Sequence, residues 1–389
     1  MKLGYYYHTE ILEENGNFYI HGYQGVFIDS LAQNVDELLL FMHSAEKDSL
    51  LPDYALKSKN IRWVNLGYKP PAWKRYFSPK ILLNQHREEI GSVNAMVVRS
   101  PSPLSMAFSA FVSEKKLFYF IVGDYLNGAN NIKVNSIRDY FVKLLIKKID
   151  KSLTSVVKNR VIFVNSLELK YKYEEIASKI IEVRTTTLQE DDMKRREDTC
   201  QGELIHLLYA GRLDFSKGLL ELVDAFKKIY EARPNVRLHF VGWEDNPKKP
   251  VENALVEKVN IHNLDEYVYF HGRKKIGTEL NQMYFNSDIY IIPSFHEGFP
   301  RTIWEAMGQS TPVIATKVGG IPFLLDDREN AILIEPKSVK EIVESIELLI
   351  SDEYLRKKII SNGFERAKKV TLQYQSNSLI SLILNEINE

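Results

Sequence analysis

Two carboxylates and two cations occupy settings in this chain where side chains can do chemistry. Glu297 and Glu305 stand eight positions apart in HEGFPRTIWEAM, residues 296–307, with Gly298 and Pro300 between them. The preceding residues, Asp288 to Pro293, form a short apolar run that stops at a proline, which predicts a buried strand. Pro300 suits the first turn of a helix, where its missing N–H removes no bond, and Arg301 to Gly308 carry that helix to a glycine stop. The stretch therefore reads strand, loop, helix. The first N–H groups of a helix have no internal partner and lie at the positive end of its dipole. In an open α/β sheet, ligands gather where strands end and helices begin. Glu297 is expected in that crevice and Glu305 about a turn into the helix. One carboxylate can hold a neutral polyhydroxyl group and the other a ribose. The alternative is a solvated turn glutamate followed by a surface helix glutamate.

The cations sit in a second motif, Gly211-Arg212-Leu213-Asp214-Phe215-Ser216-Lys217-Gly218, between an expected strand and an expected helix. A diphosphate needs more than one cation to neutralise its charge and occupy its oxygens, and Arg212 with Lys217 would supply two. The glycines at either end let the loop turn sharply. The motif is not a Walker loop, because Lys217 precedes the glycine and the order Gly-Lys-Ser is missing. A solvated basic turn is the competing reading.

The elements that must hold these residues alternate in type after residue 203. Strands are expected at Leu204 to Tyr209, Val236 to Val241, Tyr267 to Phe270, Ile289, Val313 and Ala331 to Ile334. Helices are expected at Gly218 to Ala232, with Leu222, Val223, Phe226 and Ile229 inward, before Asn263, at Thr278 to Asn286 and at Trp304. This βαβ alternation implies a parallel sheet covered on both faces. Three helical segments close the chain, from Ser338, Glu353 and Leu372. Before residue 185 the pattern is weaker, with strands expected at Val35 to Met42, Met96 to Arg99, Leu117 to Val122 and Val161 to Asn165. Gly22 and Gly25 are placed ahead of a short helix, where they would let backbone approach a ligand or simply form a turn. The polar stretch Thr185 to Glu203 reads as a linker between two α/β domains. Two such domains would leave a cleft between them.

The bulk numbers agree with two folded domains: 389 residues, 44% of them hydrophobic. A single cysteine, Cys200, excludes an internal disulfide framework and suits a reducing compartment. The opening residues show no signal-peptide pattern, and no apolar run approaches the roughly 20 residues of a membrane span. Formal net charge is zero, yet residues 51–160 hold 19 Lys/Arg against 7 Asp/Glu, an excess of 19 − 7 = 12. Such a block suits an anionic membrane surface, a lipid pyrophosphate or a nucleic acid. No zinc-finger spacing or RNA-binding motif accompanies it, so nucleic acid is not expected as a partner.

Together the motifs resemble the retaining glycosyltransferases of family 4, which have the GT-B fold: α/β, two Rossmann-like domains facing a cleft. The resemblance is carried by AGRLDFSKG, LHFVGW, VYFHGR, DIYIIPSFHEGFPRTIWEAMGQSTPVIATKVGG and NAILIEP, in that order. It implies that Glu297 contacts the donor sugar and that Arg212 and Lys217 bind the diphosphate, the three forming the catalytic set. It also implies that Gly298, Phe299, Pro300, Arg301 and Thr302 line the donor, that Glu305 holds the ribose, and that Arg273 lies by the nucleobase. The implied domains are 1–188, with the final helix 371–389 packed back on it, for the acceptor, and 189–370 for the nucleotide sugar. The expected activity moves a hexose-type sugar to a glycan or lipid-linked acceptor, in the cytoplasm at the inner face of the membrane, with no cofactor and no metal ion. No Asp-x-Asp motif occurs in the chain. A nucleotide-sugar epimerase or a catalytically idle partner subunit would share the same fold. One departure from the family is that the expected strand Leu117 to Val122 ends in Gly123-Asp124 where many members place a histidine, which nominates Asp124 for a polar role at the sugar or the acceptor and places it, with Gly22 and Gly25, among the expected donor-binding residues.

Overall fold

A computed structural model of the chain describes all residues except 47–53, 125, 127–135, 185, 299 and 389. The chain divides into two compact units, Met1–Thr185 with Leu372–Glu389, and Thr186–Thr371.

The strands of the first unit are β1 (Lys2–Glu14), β2 (Asn17–Ile20), β3 (Glu37–Ser44), β4 (Tyr54–Ala55), β5 (Ile61–Tyr68), β6 (Ala95–Ser100), β7 (Leu117–Ile121), β8 (Val161–Val164) and β9 (Lys179–Glu182). Seven of them run parallel in the order β5-β3-β1-β6-β7-β8-β9, while β2 folds back antiparallel on the far end of β1 and β4 pairs with β2. The order reverses at β1, so this sheet is doubly wound. β1 has no counterpart among the expected strands, although it is the central one. Its buried half, Leu3 to Tyr7, is aromatic rather than aliphatic, and its outer half carries the polar residues of the hairpin. Tyr5 and Tyr7 enter the core on one face with Leu38, Val97 and Phe120. Tyr6 enters the core on the other face with Leu39, Val98 and Tyr119.

The helix Leu372–Asn388 completes this unit, burying Leu379, Ile380 and Ile383 in the first of those cores. Ser376 and Ser30 hydroxyls meet at 2.7 Å beneath it. Gly22 and Gly25 differ from expectation, because they lie inside the helix Gly22–Ala32 rather than ahead of it. A Cβ on Gly25 would stand 2.3 Å from the Tyr54 ring, so packing against that ring accounts for the glycine.

The second unit holds β10 (Ile205–Ala210), β11 (Val236–Val241), β12 (Val268–Phe270), β13 (Ile289–Ile292), β14 (Val313–Thr316) and β15 (Ile332–Ile334), all parallel in the order β12-β11-β10-β13-β14-β15. The helix Leu219–Ala232 turns Leu222, Val223, Phe226 and Ile229 into the core, the stripe its periodicity marks.

The stretch taken as a linker is instead a strap on this unit. Arg356, buried, grips Asp198 with both Nε (2.6 Å) and Nη2 (2.9 Å). Arg196 donates through Nε to the Ser310 carbonyl (3.2 Å) and through Nη2 to the Thr311 hydroxyl (2.9 Å). Two of the charges that make the stretch look solvated, Arg196 and Asp198, are held by partners of this unit, while Glu190, Asp191, Lys194, Arg195, Glu197 and Glu203 stay exposed. Breaking such a buried pair from one side costs about 3–5 kcal/mol, which is why this extended segment needs no periodic apolar pattern to stay in place.

Candidate functional site

In the second unit the strand order reverses at β10, which pairs with β11 on one side and β13 on the other. The segments following β10 and β13 therefore diverge around the switch point, the place where open α/β sheets hold ligands. They are the basic loop 211–218 and the acidic loop 293–300.

The two loops are joined through backbone. Phe295 N–H donates to the Ser216 carbonyl at 2.7 Å. Gly218 sits at φ 64°, in the left-handed region, and a Cβ there would stand 2.1 Å from the Pro293 carbonyl oxygen, so no other residue fits this junction. Asp214 accepts from Ser216 N–H (2.8 Å) and from its hydroxyl (2.6 Å), capping the tight turn Phe215–Lys217. Those two bonds hold the Asp214 carboxyl below its usual range. From the far side, Gly319 at φ 54° presses on the Glu297 carbonyl, where a Cβ would come within 1.7 Å.

The result is a side-chain pair. Lys217 Nζ donates to Glu297 Oε1 at 2.6 Å, and Ser294 Oγ donates to the same oxygen at 2.7 Å. The lysine and glutamate side chains are 16% and 11% exposed, so this pair is shielded far better than a surface ion pair. Glu297 Oε2 has no hydrogen bond among the described residues. Tyr209, buried below, donates to the Arg212 carbonyl at 2.7 Å, and burial followed by the Glu297 charge pushes its phenol well above the usual range. It stays protonated and props the basic loop.

Glu305 is buried, not on the helix surface. Tyr284 OH donates to Oε2 at 2.9 Å, and Thr187 Oγ1 donates to Oε1. Burial and then the Glu305 charge raise the Tyr284 phenol well above its usual value, so it remains a donor. Sequence reading missed both partners: Tyr284 looks like any aromatic residue of an amphipathic helix, and Thr187 lies in the supposed linker. A carboxylate has about four lone-pair sites, so Glu305 retains acceptor capacity beside these hydroxyls.

Arg212 reaches Asp245 at 3.3 Å, with both side chains more than half exposed. Asp245 also accepts from Trp243 Nε1 at 2.8 Å, and the Arg273 guanidinium stacks 4.9 Å from the Trp243 ring centre. This chain of polar contacts follows the ends of β10, β11 and β12. Pro300 stands at the N-cap position of the helix Arg301–Gly308, which places Thr302 in its first turn. Phe299 lies outside the described residues. Gly22, Gly25 and Asp124 belong to the first unit. Asp124 pairs there with Lys172 (3.0 Å), which also holds Asp150 (2.7 Å). Among the described residues, no group of three or more His, Cys, Asp or Glu side chains is placed to hold a metal ion.

The chain is similar to known proteins in sequence and in fold. Residues 191–366, within the second unit, match the family described as Glycosyl transferases group 1. An uncharacterized glycosyltransferase of Methanocaldococcus jannaschii is 29% identical over 169 residues, 43% of this chain and 42% of that protein. The chain thus spans less than half the length of that relative. The capsular polysaccharide biosynthesis glycosyltransferase CapM of Staphylococcus aureus is 26% identical over 74% of this chain and 75% of its own. Among solved structures, Anabaena HepE in complex with UDP superposes with a TM-score of 0.72 at 16% identity, covering 99% of this chain and 100% of that one. The fold is accordingly of the α/β GT-B class, built of two Rossmann-like domains.

The hydroxyl cradle of Glu305 can be tested without any ligand. Tyr284→Phe removes one donor from a buried carboxylate and is expected to lower stability by about 1–3 kcal/mol in denaturant unfolding. An unchanged midpoint and slope would mean that solvent, not Tyr284, satisfies Glu305.

Proposed function

We propose that the chain is a retaining glycosyltransferase that moves a hexose-type sugar from a nucleotide-diphosphate sugar to an acceptor. The observation that carries the proposal is the shielded Lys217–Glu297 pair at the switch point of the second unit, with Arg212 on the same loop as the lysine. In this reading Arg212 and Lys217 hold the diphosphate, Glu297 the sugar hydroxyls, Glu305 the ribose and Arg273 the nucleobase edge. Gly298, Phe299, Pro300, Arg301 and Thr302 form the donor-facing turn. The second unit takes the donor and the first the acceptor. Gly22 and Gly25 are taken as donor-binding positions of the first unit, and Asp124 as a polar group for the sugar or the acceptor.

The chemistry follows from where charge develops. The bond between the sugar C1 and the diphosphate oxygen breaks, the electron pair leaves with the diphosphate, and C1 becomes oxocarbenium-like. In this reading the two cations and the N–H groups at the helix start meet the departing oxygens, and stabilise the transition state more than the ground state. The acceptor oxygen bonds to C1 on the same face, and its proton passes to the departing phosphate oxygen, so no protein base is needed. This arrangement assigns the leaving-group charge to side chains and backbone, with no resident cofactor or metal ion in the proposal.

HepE has been crystallised with UDP and with UDP-glucose, which makes UDP sugars the first donors to try. The name of CapM supports a cell-surface glycan or its lipid-linked precursor as acceptor. Within the first unit, the helices Ala72–Phe77, Pro79–Asn84 and Ile137–Val157 expose Trp73, Phe77, Ile81, Tyr140 and Phe141 at 54–74%. Lys148 lies 5.8 Å from the Phe77 ring, and Tyr76 and Ser152 hydroxyls meet at 3.0 Å, so the first and last of these helices are neighbours. Lys74, Lys80, Lys143 and Lys147 are interleaved with the exposed rings. Exposed aromatics among lysines fit peripheral docking on an anionic leaflet, the cytoplasmic face in this reading. The described residues include no helix long and apolar enough to cross a membrane. Residues 51–53, 125 and 127–135 of the basic block lie outside the description.

With UDP-glucose as the trial donor, Glu297→Ala and Lys217→Ala are each expected to lower turnover by about 10²–10³. Turnover that survives both changes would remove the assignment. Donor turnover with no acceptor and no hydrolysis would favour an epimerase, and absence of both donor binding and turnover an idle subunit. For the membrane face, the full chain should float with phosphatidylglycerol vesicles at low salt, and Trp73→Ser with Phe77→Ser should abolish flotation. Flotation unaffected by the double change would place the contact elsewhere.

A further inference from the structure

Among the described residues, the first unit buries two guanidinium groups, those of Arg75 and Arg99, for which no carboxylate partner is present. Arg99, at the end of β6, is 4% exposed. Its Nη1 donates to Tyr5 OH at 3.2 Å, its guanidinium faces the Tyr7 ring at 4.7 Å, and its Nε has no partner. Arg75 is 6% exposed, donates through Nε to the Pro70 carbonyl at 2.9 Å, and leaves Nη1 without a partner. His8 on β1 and His43 on β3 each keep one buried ring nitrogen unpartnered, and His43 Nδ1 donates to the Gly67 carbonyl at 3.1 Å. Lys69 completes the group, with Glu10 at 3.5 Å as its carboxylate.

These residues are electrically one cluster. Burial, then the charges of Lys69, Arg75, Arg99 and His43, push the His8 pKa down to about 3. Burial, with Arg75 and Lys69 adding to it, pushes His43 down to about 4. At neutral pH both imidazoles are therefore uncharged, and the two guanidinium groups face no neutralising carboxylate among the described residues. An unpaired buried cation costs several kcal/mol. The place is also distinctive: the ends of β1, β3, β5 and β6 around β1, where this sheet reverses its strand order. The β1–β3 register shifts between Tyr6 and Glu10, and the β3–β5 register between Met42 and Ser44, so the ladder is irregular where the cluster sits.

We propose that Arg75 and Arg99, with His8, His43 and Lys69 around them, form a phosphate-binding site in the first unit that receives the phosphate or pyrophosphate of the acceptor. Two guanidinium forks on separate elements offer more N–H donors than one carboxylate can accept, whereas a phosphate presents three or more oxygens. Bound phosphate would supply the missing counter-charge. The assignment to an acceptor rests on the glycosyltransferase reading; the phosphate site stands on the first unit's own side chains.

The test is thermal unfolding of the full chain carrying Arg212→Met and Lys217→Met, which removes the cations of the second unit. Inorganic pyrophosphate at millimolar concentration is expected to raise Tm by about 2–4 °C. Adding Arg75→Met or Arg99→Met should abolish that shift while leaving the ligand-free Tm equal or higher, since an uncompensated buried charge is gone. Where a methionine variant does not fold, Arg99→Lys, which keeps the charge but loses the fork, should reduce the shift at least by half. No shift in the Arg212→Met, Lys217→Met chain, or a shift that survives the arginine changes, overturns the site. Glucose 1-phosphate and farnesyl pyrophosphate as parallel probes separate a soluble phosphate from a lipid headgroup: the stronger shift names the source. If UDP-glucose fails to stabilise the unaltered chain while the pyrophosphate shift persists, the donor reading fails and the phosphate site does not.

Discussion

A parallel sheet that changes its winding direction at one strand leaves the two segments on either side of that strand with nothing to cover between them. In the second unit this falls at β10, and the rest of the candidate site follows from how the chain fills that position. One segment brings two cations and the other brings a carboxylate, and the backbone bond from Phe295 to Ser216 fixes their spacing. Lys217 and Glu297 neutralise each other across the two segments. A ligand with a negative group and a hydroxyl-rich group can take one partner from each side of the pair. The pair is thus a ready-made discriminator for a molecule with both features.

Polar groups deeper in the unit are treated differently. Glu305 accepts from two neutral hydroxyls rather than from a cation, so no ion pair competes for its oxygens. Tyr209 and Tyr290 fill the space beneath the loops and donate to the carbonyls of Arg212 and Ala210. Burial keeps both phenols protonated. The cost of burying these hydroxyls is offset by their hydrogen bonds, and the gain is a rigid floor under loops that glycine alone would leave loose.

Much of this was legible in the sequence, and for physical reasons. Apolar runs of four to six residues ended by glycine or proline are what fully buried parallel strands require, so β10 to β15 stand out, and with them the loops that carry Arg212, Lys217 and Glu297. The helix stripe Leu222, Val223, Phe226 and Ile229 is equally direct. The first unit was less readable because its central strand is built from tyrosines, and tyrosine does not separate a buried strand from a surface one. The strap 186–203 was misread because paired charges and solvated charges look alike in one dimension; only Arg356 opposite Asp198 shows the difference. For the same reason Arg75 and Arg99 vanished into a general excess of basic residues, although burial separates them from the surface lysines.

The account stands most directly on where a nucleotide sugar lies. A crystal structure of the full chain with a non-transferable UDP-sugar analogue is expected to place the diphosphate within hydrogen-bond distance of Arg212 and Lys217. The Lys217–Glu297 bond should then be broken or shared, with Glu297 on a sugar hydroxyl and Glu305 on the ribose. A nucleotide bound away from β10, with Lys217 still closed on Glu297 and the sugar out of reach of both carboxylates, would contradict it.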